Sequence, residues 1–239
     1  MATKRKPVVS ARKRPRQARS TQLVADILEA AARVLVRDGA HRFTTARVAE
    51  AAGVSVGSLY QYFPNKEAIL FGLQTNEWHQ TMGELRDILT DTRLIPLERV
   101  RSAVRTFFRS ECEEAAFRNA LEEAAPLYRE APESRAHTDE GRQLMETFMR
   151  DALPQASARE RAFAADLVGT IMSATGKAIS SQSRSRTDVD KLAEASGEMF
   201  LAYLAPRASQ ENFSPLRLRA PMTQVGEDRL GRLSQQGQF

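Results

Sequence analysis

Residues 44–66 read TTARVAEAAGVSVGSLYQYFPNK, and this stretch decides the fold. Thr44 or Thr45 can cap a short helix that buries Val48 and Ala51 or Ala52, and Ser55 can cap a second that buries Leu59 and Phe63. Ala49 is small enough for two helices to cross closely, and Gly53 supplies the positive φ that a sharp inter-helix turn needs. Pro64-Asn65-Lys66 then breaks the chain before a new helix. Two helices joined at roughly 90–120° make a helix-turn-helix, whose second helix enters a DNA major groove. DNA binding is therefore the first expectation.

The charge distribution agrees. The chain of 239 residues carries a formal charge of +5. Residues 1–66 hold thirteen Lys/Arg against four acids, whereas residues 67–239 hold twenty-two against twenty-six. A basic amino end on a mildly acidic remainder fits a polyanion-binding head on a body of another purpose. Residues 1–18 contain Lys4, Arg5, Lys6, Arg12, Lys13, Arg14 and Arg16 without an acid, and are expected to be a disordered arm when free. Such an arm is either a solubilising tail or a reader of the adjacent minor groove, where Arg is favoured. No apolar run reaches the about 20 residues of a membrane span, and the start has no secretory-signal pattern. A cytoplasmic protein is expected, with no membrane partner. Cys112 is the single cysteine; flanked by Glu111, Glu113 and Glu114, it reads as inert.

Outside the motif the periodicity is helical throughout. A first helix capped by Ser20 or Thr21 carries Val24, Ile27, Leu28, Ala31, Val34 and Leu35 on one stripe and stops near Gly39. Further helices are expected at 66–90, 96–111, 115–128 (kinked or ended by Pro126), 137–152, 157–181 and 187–204. No window alternates as a strand does, so the fold class is all-α. The expected divisions are the arm at 1–18, a three-helix DNA-binding domain with the helix-turn-helix at 19–65, a larger helical ligand-binding and dimerisation domain at 66–205, and a flexible tail at 206–239.

The run F-T-T…A…G-V-S…L-Y-x-Y-F-x-N-K within Thr21–Leu73, followed by an all-helical remainder, resembles the TetR (tetracycline-repressor) family of bacterial transcription regulators. The resemblance implies a homodimer with two amino-terminal DNA heads, an effector cavity in the carboxy-terminal helices and dimerisation through the last two long helices. It also makes Lys66 the counterpart of a phosphate-contacting lysine. Some relatives carry a base-reading arginine after the second threonine; here that position is Ala46, with Arg47 next to it.

The residues themselves suit the task. With Leu59 and Phe63 inward, Val56, Gly57, Ser58, Tyr60, Gln61 and Tyr62 fall on or near the outer face of the recognition helix. Gln61 can pair with a base edge, adenine above all, and Val56 can touch a thymine methyl. Gly57 permits close approach, while Tyr60, Ser55 and Ser58 suit phosphate oxygens. Thr45 and Arg47 would reach backbone or groove. For Tyr60 and Tyr62 the rival role is packing with an incidental hydroxyl.

For the body, an effector cavity would be apolar with a few polar groups. Trp78, Met82, Phe107, Phe108, Tyr128, Met145, Phe148, Met149 and Met172 are the expected lining, although such stripes also serve as plain core. Met and Phe favour a small, largely apolar organic ligand. The dimer interface is expected at Ile171, Ala174, Ala178, Ile179, Met199, Phe200 and Leu204, with internal core as the rival role. A two-fold dimer calls for a palindromic operator on double-stranded DNA. His41, His79 and His137 form no metal-ligand pattern, and no catalytic motif or cofactor is implied. The expected function is a transcriptional repressor released by its ligand; the alternative is a helical DNA-binding regulator that is constitutive or controlled by a protein partner.

Overall fold

The computed structural model describes residue 9 and residues 18–130, 133–182 and 184–208, with backbone alone for residue 18 and residues 134–138. These residues form α1 (Ala18–Arg42), α2 (Thr45–Ala51), α3 (Val56–Tyr60), α4 (Lys66–Leu89), α5 (Pro96–Glu113), α6 (Ala115–Ala124), α7 (Ser134–Ala152), α8 (Ala158–Ser181) and α9 (Arg186–Leu204). Short 3₁₀ turns follow α6 at Ala125–Leu127 and α9 at Ala205–Arg207. No strand occurs among the described residues, so the fold is all-α.

Short polar side chains start most of these helices. Thr44 Oγ1 accepts the Arg47 N–H at 3.3 Å, Ser55 Oγ the Ser58 N–H at 3.0 Å and Asn65 Oδ1 the Ala68 N–H at 2.8 Å. Each satisfies a donor that a helix leaves orphaned. Ser157 and Glu160 close a reciprocal capping box on α8. Ser20 and Thr21, expected as caps, instead lie inside α1, which begins at Ala18. Gly39 breaks α1 where a stop was expected (φ +72°, ψ 168°), and one more turn runs on to Arg42. Pro126 ends α6 in the 3₁₀ turn.

Two apolar clusters result. The head cluster joins Ile27, Ala31, Val34 and Leu35 of α1 to Val48, Ala49, Leu59 and Phe63, and to Ile69, Leu70 and Leu73 of α4. It also takes in Leu121 and Ala124 of α6, then Ala125 and Tyr128 beyond it. In α2 the inward pair is Val48 and Ala49; Ala51 is exposed and Ala52 half-buried. The body cluster is built from the later turns of α4 with α5, α7, α8 and α9. Helix α5 runs through its middle, packing on α4, α8 and α9 and touching α6 and α7. Buried Arg99 of α5 pairs with Asp151 and donates to the Leu89 carbonyl at 2.8 Å, tying α5 to α7 and the end of α4.

Of the basic arm only Val9 and Ala18 are described, and Val9 is buried in the head cluster. The rest of the expected disordered arm, and the expected tail from residue 209 on, lie outside the described residues.

Phe108 is fully buried at the centre of the body cluster. Phe108→Ala is expected to cost about 3–5 kcal/mol, read as a fall in the urea midpoint with an unchanged slope. An unchanged midpoint would contradict this packing.

Candidate nucleic-acid interface and body cavity

The turn between α2 and α3 is held by the backbone. Gly53 donates to the Glu50 carbonyl at 3.1 Å and Val54 to that of Ala49 at 3.0 Å. Gly53 sits at φ +67°, and a Cβ there would meet nothing within 4 Å. Its requirement is therefore conformational, not steric. Helix α3 leaves Val56, Gly57, Tyr60 and Gln61 exposed, with Ser58 half-buried. The Tyr60 hydroxyl lies 3.2 Å from Thr45 Oγ1, which fixes α3 against α2. The Ser55 and Ser58 hydroxyls lie 2.9 Å apart, so one donates to the other and one O–H remains free. Lys66 is half-exposed at the start of α4.

Two expected contacts stand differently. Tyr62 is 7% exposed and belongs to the head cluster, so its placement on the outer face is corrected. The reason is local: α3 ends at Tyr60, and the chain tightens so that Tyr62 and Phe63 both donate to the Leu59 carbonyl at 3.0 Å. A helical projection fails beyond that point, and both rings turn inward. Arg47 is exposed, but its Nη1 donates to the Arg42 carbonyl at 3.1 Å and lies 3.4 Å from Asp38 Oδ2. It is held against the end of α1.

Within the body, α4, α5, α6, α7 and α8 line a cavity of about 880 Å³. This lies within the ordinary size of a small-molecule site. Trp78, Met82, Phe107, Met145 and Met172 line it as expected. Phe108, Phe148 and Met149 do not; they are packed inside the body cluster, and Tyr128 is in the head cluster. Neighbours on a helix point about 100° apart, so Phe107 reaches the void while Phe108 turns into the core. At Gly176 of α8 a Cβ would lie 2.7 Å from Phe107 Cε1 and 3.1 Å from Glu111 Cγ. The missing side chain is what admits both residues between α5 and α8.

The inner wall carries a polar cluster that the sequence reading missed. Arg118 of α6 pairs with Glu77 of α4 at 2.6 Å, Glu111 of α5 at 3.0 Å and Glu114 at 2.9 Å. It also donates to Thr81 Oγ1 at 3.1 Å and Ser110 Oγ at 2.7 Å. Burial pushes the Glu77 carboxyl above its usual range, against Arg118 and the Thr81 hydroxyl, which pull it down; Glu111 and Glu114 add to the rise. The available signal was charge at stripe positions: Glu77 lies between Leu73 and Thr81 on one face of α4, and Glu111 continues Val100, Val104 and Phe107.

On α8 and α9, Met199 and Ala174 are exposed while Ile171 and Ala178 are half-buried. Ile179, Phe200 and Leu204 are at most 2% exposed and belong to the body cluster, so their expected place in an interface is corrected. They lie on the inward faces of these helices. Phe163 of α8, 61% exposed, is an apolar surface residue that the expected interface omitted. His41 is exposed, 3.8 Å from Glu123, and the His137 side chain lies outside the described residues. No helix among the described residues is long and apolar enough to cross a membrane.

Comparison with known proteins now bears on this geometry. Residues 27–73 match the model for bacterial regulatory proteins of the tetR family, and residues 95–206 match that for the tetracyclin repressor-like C-terminal domain. The chain belongs to the TetR family. A fatty acid metabolism regulator protein of Bacillus subtilis is 37% identical over 61 residues, 26% of this chain and 31% of that protein. The chain spans about a third of the length of the curated relatives it matches. Among solved structures, the fatty acid degradation regulator FadR of Bacillus halodurans aligns with a TM-score of 0.61 at 16% identity, over 79% of this chain and 97% of that one. SmeT, the repressor of a Stenotrophomonas maltophilia multidrug efflux pump, aligns in its triclosan complex with a TM-score of 0.63 at 20% identity, over 85% and 100%. At these identities the structural likenesses establish the fold alone.

Gly176→Val is expected to overpack Phe107 and Glu111 at a cost of about 1–3 kcal/mol, measured as a lower urea midpoint. A midpoint equal to wild type would show that α8 has more room than described.

Proposed function

We propose that this protein is a homodimeric repressor that releases a palindromic operator when a small, largely apolar ligand fills the body cavity. One observation carries the reading: the cavity wall and the head core share α4 and α6. Leu121 lines the cavity and belongs to the head cluster. A hydrogen-bonded path runs alongside. The Tyr128 hydroxyl, in the head cluster, is 3.1 Å from Gln74 Oε1 and 3.0 Å from the Leu121 carbonyl. Gln74 Nε2 donates to Glu77 Oε2 at 3.1 Å, and Glu77 holds Arg118. A ligand that spreads α4 from α6 therefore pulls on the seat of α1.

The consequence follows from DNA geometry. Two heads reading successive major grooves must sit about 34–36 Å apart, so a small pivot at each α4 abolishes the fit. The ligand acts through its preference for the dimer that does not fit. SmeT, a protein of this fold, forms a complex with triclosan, which supports a small-molecule ligand here.

In the operator complex, Gln61 reads a base edge, Val56 packs on a thymine methyl and Gly57 gives clearance. Tyr60, Ser55, Ser58, Thr45 and Lys66 hold phosphates. Arg47 joins them only by leaving Asp38 and the Arg42 carbonyl. Dimerisation uses the outer faces of α8 and α9, with Met199, Ala174 and Phe163 exposed and Ile171 and Ala178 half-buried beside them.

Operator gel shifts test this. Lys66→Ala is expected to weaken binding to all sequences and to flatten the salt dependence by about one unit, while Gln61→Ala relaxes preference at one base by about 1–3 kcal/mol. Wild-type behaviour of both variants would mean that another surface reads the DNA.

A further inference from the structure

The cavity is apolar over most of its wall, but its charges are arranged unevenly. At the junction of α4, α5 and α6, one arginine faces three carboxylates: Arg118 against Glu77, Glu111 and Glu114. Glu77, Glu111 and Arg118 line the cavity, and the side chains of all three are at most 11% exposed. The buried end therefore holds more carboxyls than cations. Its hydroxyl neighbours, Thr81 and Ser110, are taken up by Arg118. The Arg118 Nε lacks a partner, but it is sealed from the void as well, so it offers an incoming acceptor nothing.

The remaining cations on the wall are also engaged. Lys177 donates to Glu122 at 2.6 Å, and Arg142 pairs with Asp139 at 3.1 Å and Glu146 at 3.2 Å. A ligand carboxylate would approach a surplus of acids and find each wall cation already held by another carboxylate. A positive group meets the opposite situation. It supplies charge that Arg118 alone does not, in a place where burial makes unbalanced carboxylates costly. Trp78 and Phe107 line the same void, and aromatic faces attract desolvated cations. Met82, Met145 and Met172 give an adaptable apolar surface for the rest of the molecule.

We propose that the ligand of this cavity is an organic cation, a protonated or quaternary amine on an apolar body, with its charge against Glu77 and Glu111. This rests on the reading of the cavity as the effector site. It also assigns Glu77 two roles, since the carboxylate that would meet the ligand is the one bonded to Gln74 on the path to Tyr128. The cation draws Glu77 toward itself, and the pull passes along α4.

The test compares three probes of equal chain length on the full-length protein by calorimetry: decyltrimethylammonium, decan-1-ol and decanoate. The ammonium is expected to bind at least tenfold tighter than the alcohol and about a hundredfold tighter than the carboxylate. Glu77→Gln is expected to narrow the ammonium-to-alcohol ratio at least fivefold, and Glu111→Gln serves as the second variant should the first fold poorly. Alcohol or carboxylate binding as tightly as the ammonium, or an undiminished ratio in both variants, overturns the cation assignment. If the alcohol or the carboxylate then still releases operator DNA, the effector reading stands and the charge inference alone fails. If none of the three binds, both fall.

Discussion

Arg118 is the interaction on which the rest of the architecture turns. Its guanidinium draws Glu77 of α4, Glu111 of α5 and Glu114 into one cluster from α6. Burying the three charged groups of Arg118, Glu77 and Glu111 is costly, and the pairing with the Thr81 and Ser110 hydroxyls offsets that cost without making the cluster a large source of stability. What it fixes is position. With α4, α5 and α6 pinned at one corner, α7 and α8 close the other sides, and the space between them remains as a cavity.

That corner also lies where head and body meet. The head has no independent core: its apolar cluster includes Leu121, Ala124, Ala125 and Tyr128, all beyond the start of α6. A DNA-reading unit seated in this way responds to whatever moves α6 or α4. The hydrogen bonds from Tyr128 through Gln74 to Glu77 add a polar link along the same route. Head and cavity are coupled by shared helices, with no need for a long relay.

The parts legible in the sequence are those governed by local rules. The caps at Thr44 and Ser55, the positive φ at Gly53 and the helix break at Pro126 follow from neighbouring residues alone. Tyr62 was misplaced because α3 stops two residues earlier, so helical phase no longer applied. Phe108, Phe148 and Met149 share an apolar stripe with residues that do line the cavity, and only tertiary packing decides which of them meets a void. Ile179, Phe200 and Leu204 failed for a related reason: α8 and α9 are apolar on more than one face, and periodicity does not say which face is internal. The Arg118 cluster joins residues up to 41 positions apart in the chain, a pairing that no spacing rule foretells.

Occupying the cavity is expected to change the separation of the two heads. A spin label at Ala51→Cys, exposed at the end of α2, in a chain with Cys112→Ser, allows that separation to be measured by pulsed electron resonance. One distance is expected with operator duplex and a shift of several ångström when the tightest-binding ten-carbon probe saturates the protein, with the same midpoint as operator release. Release of the operator with the inter-head distance unchanged would contradict it.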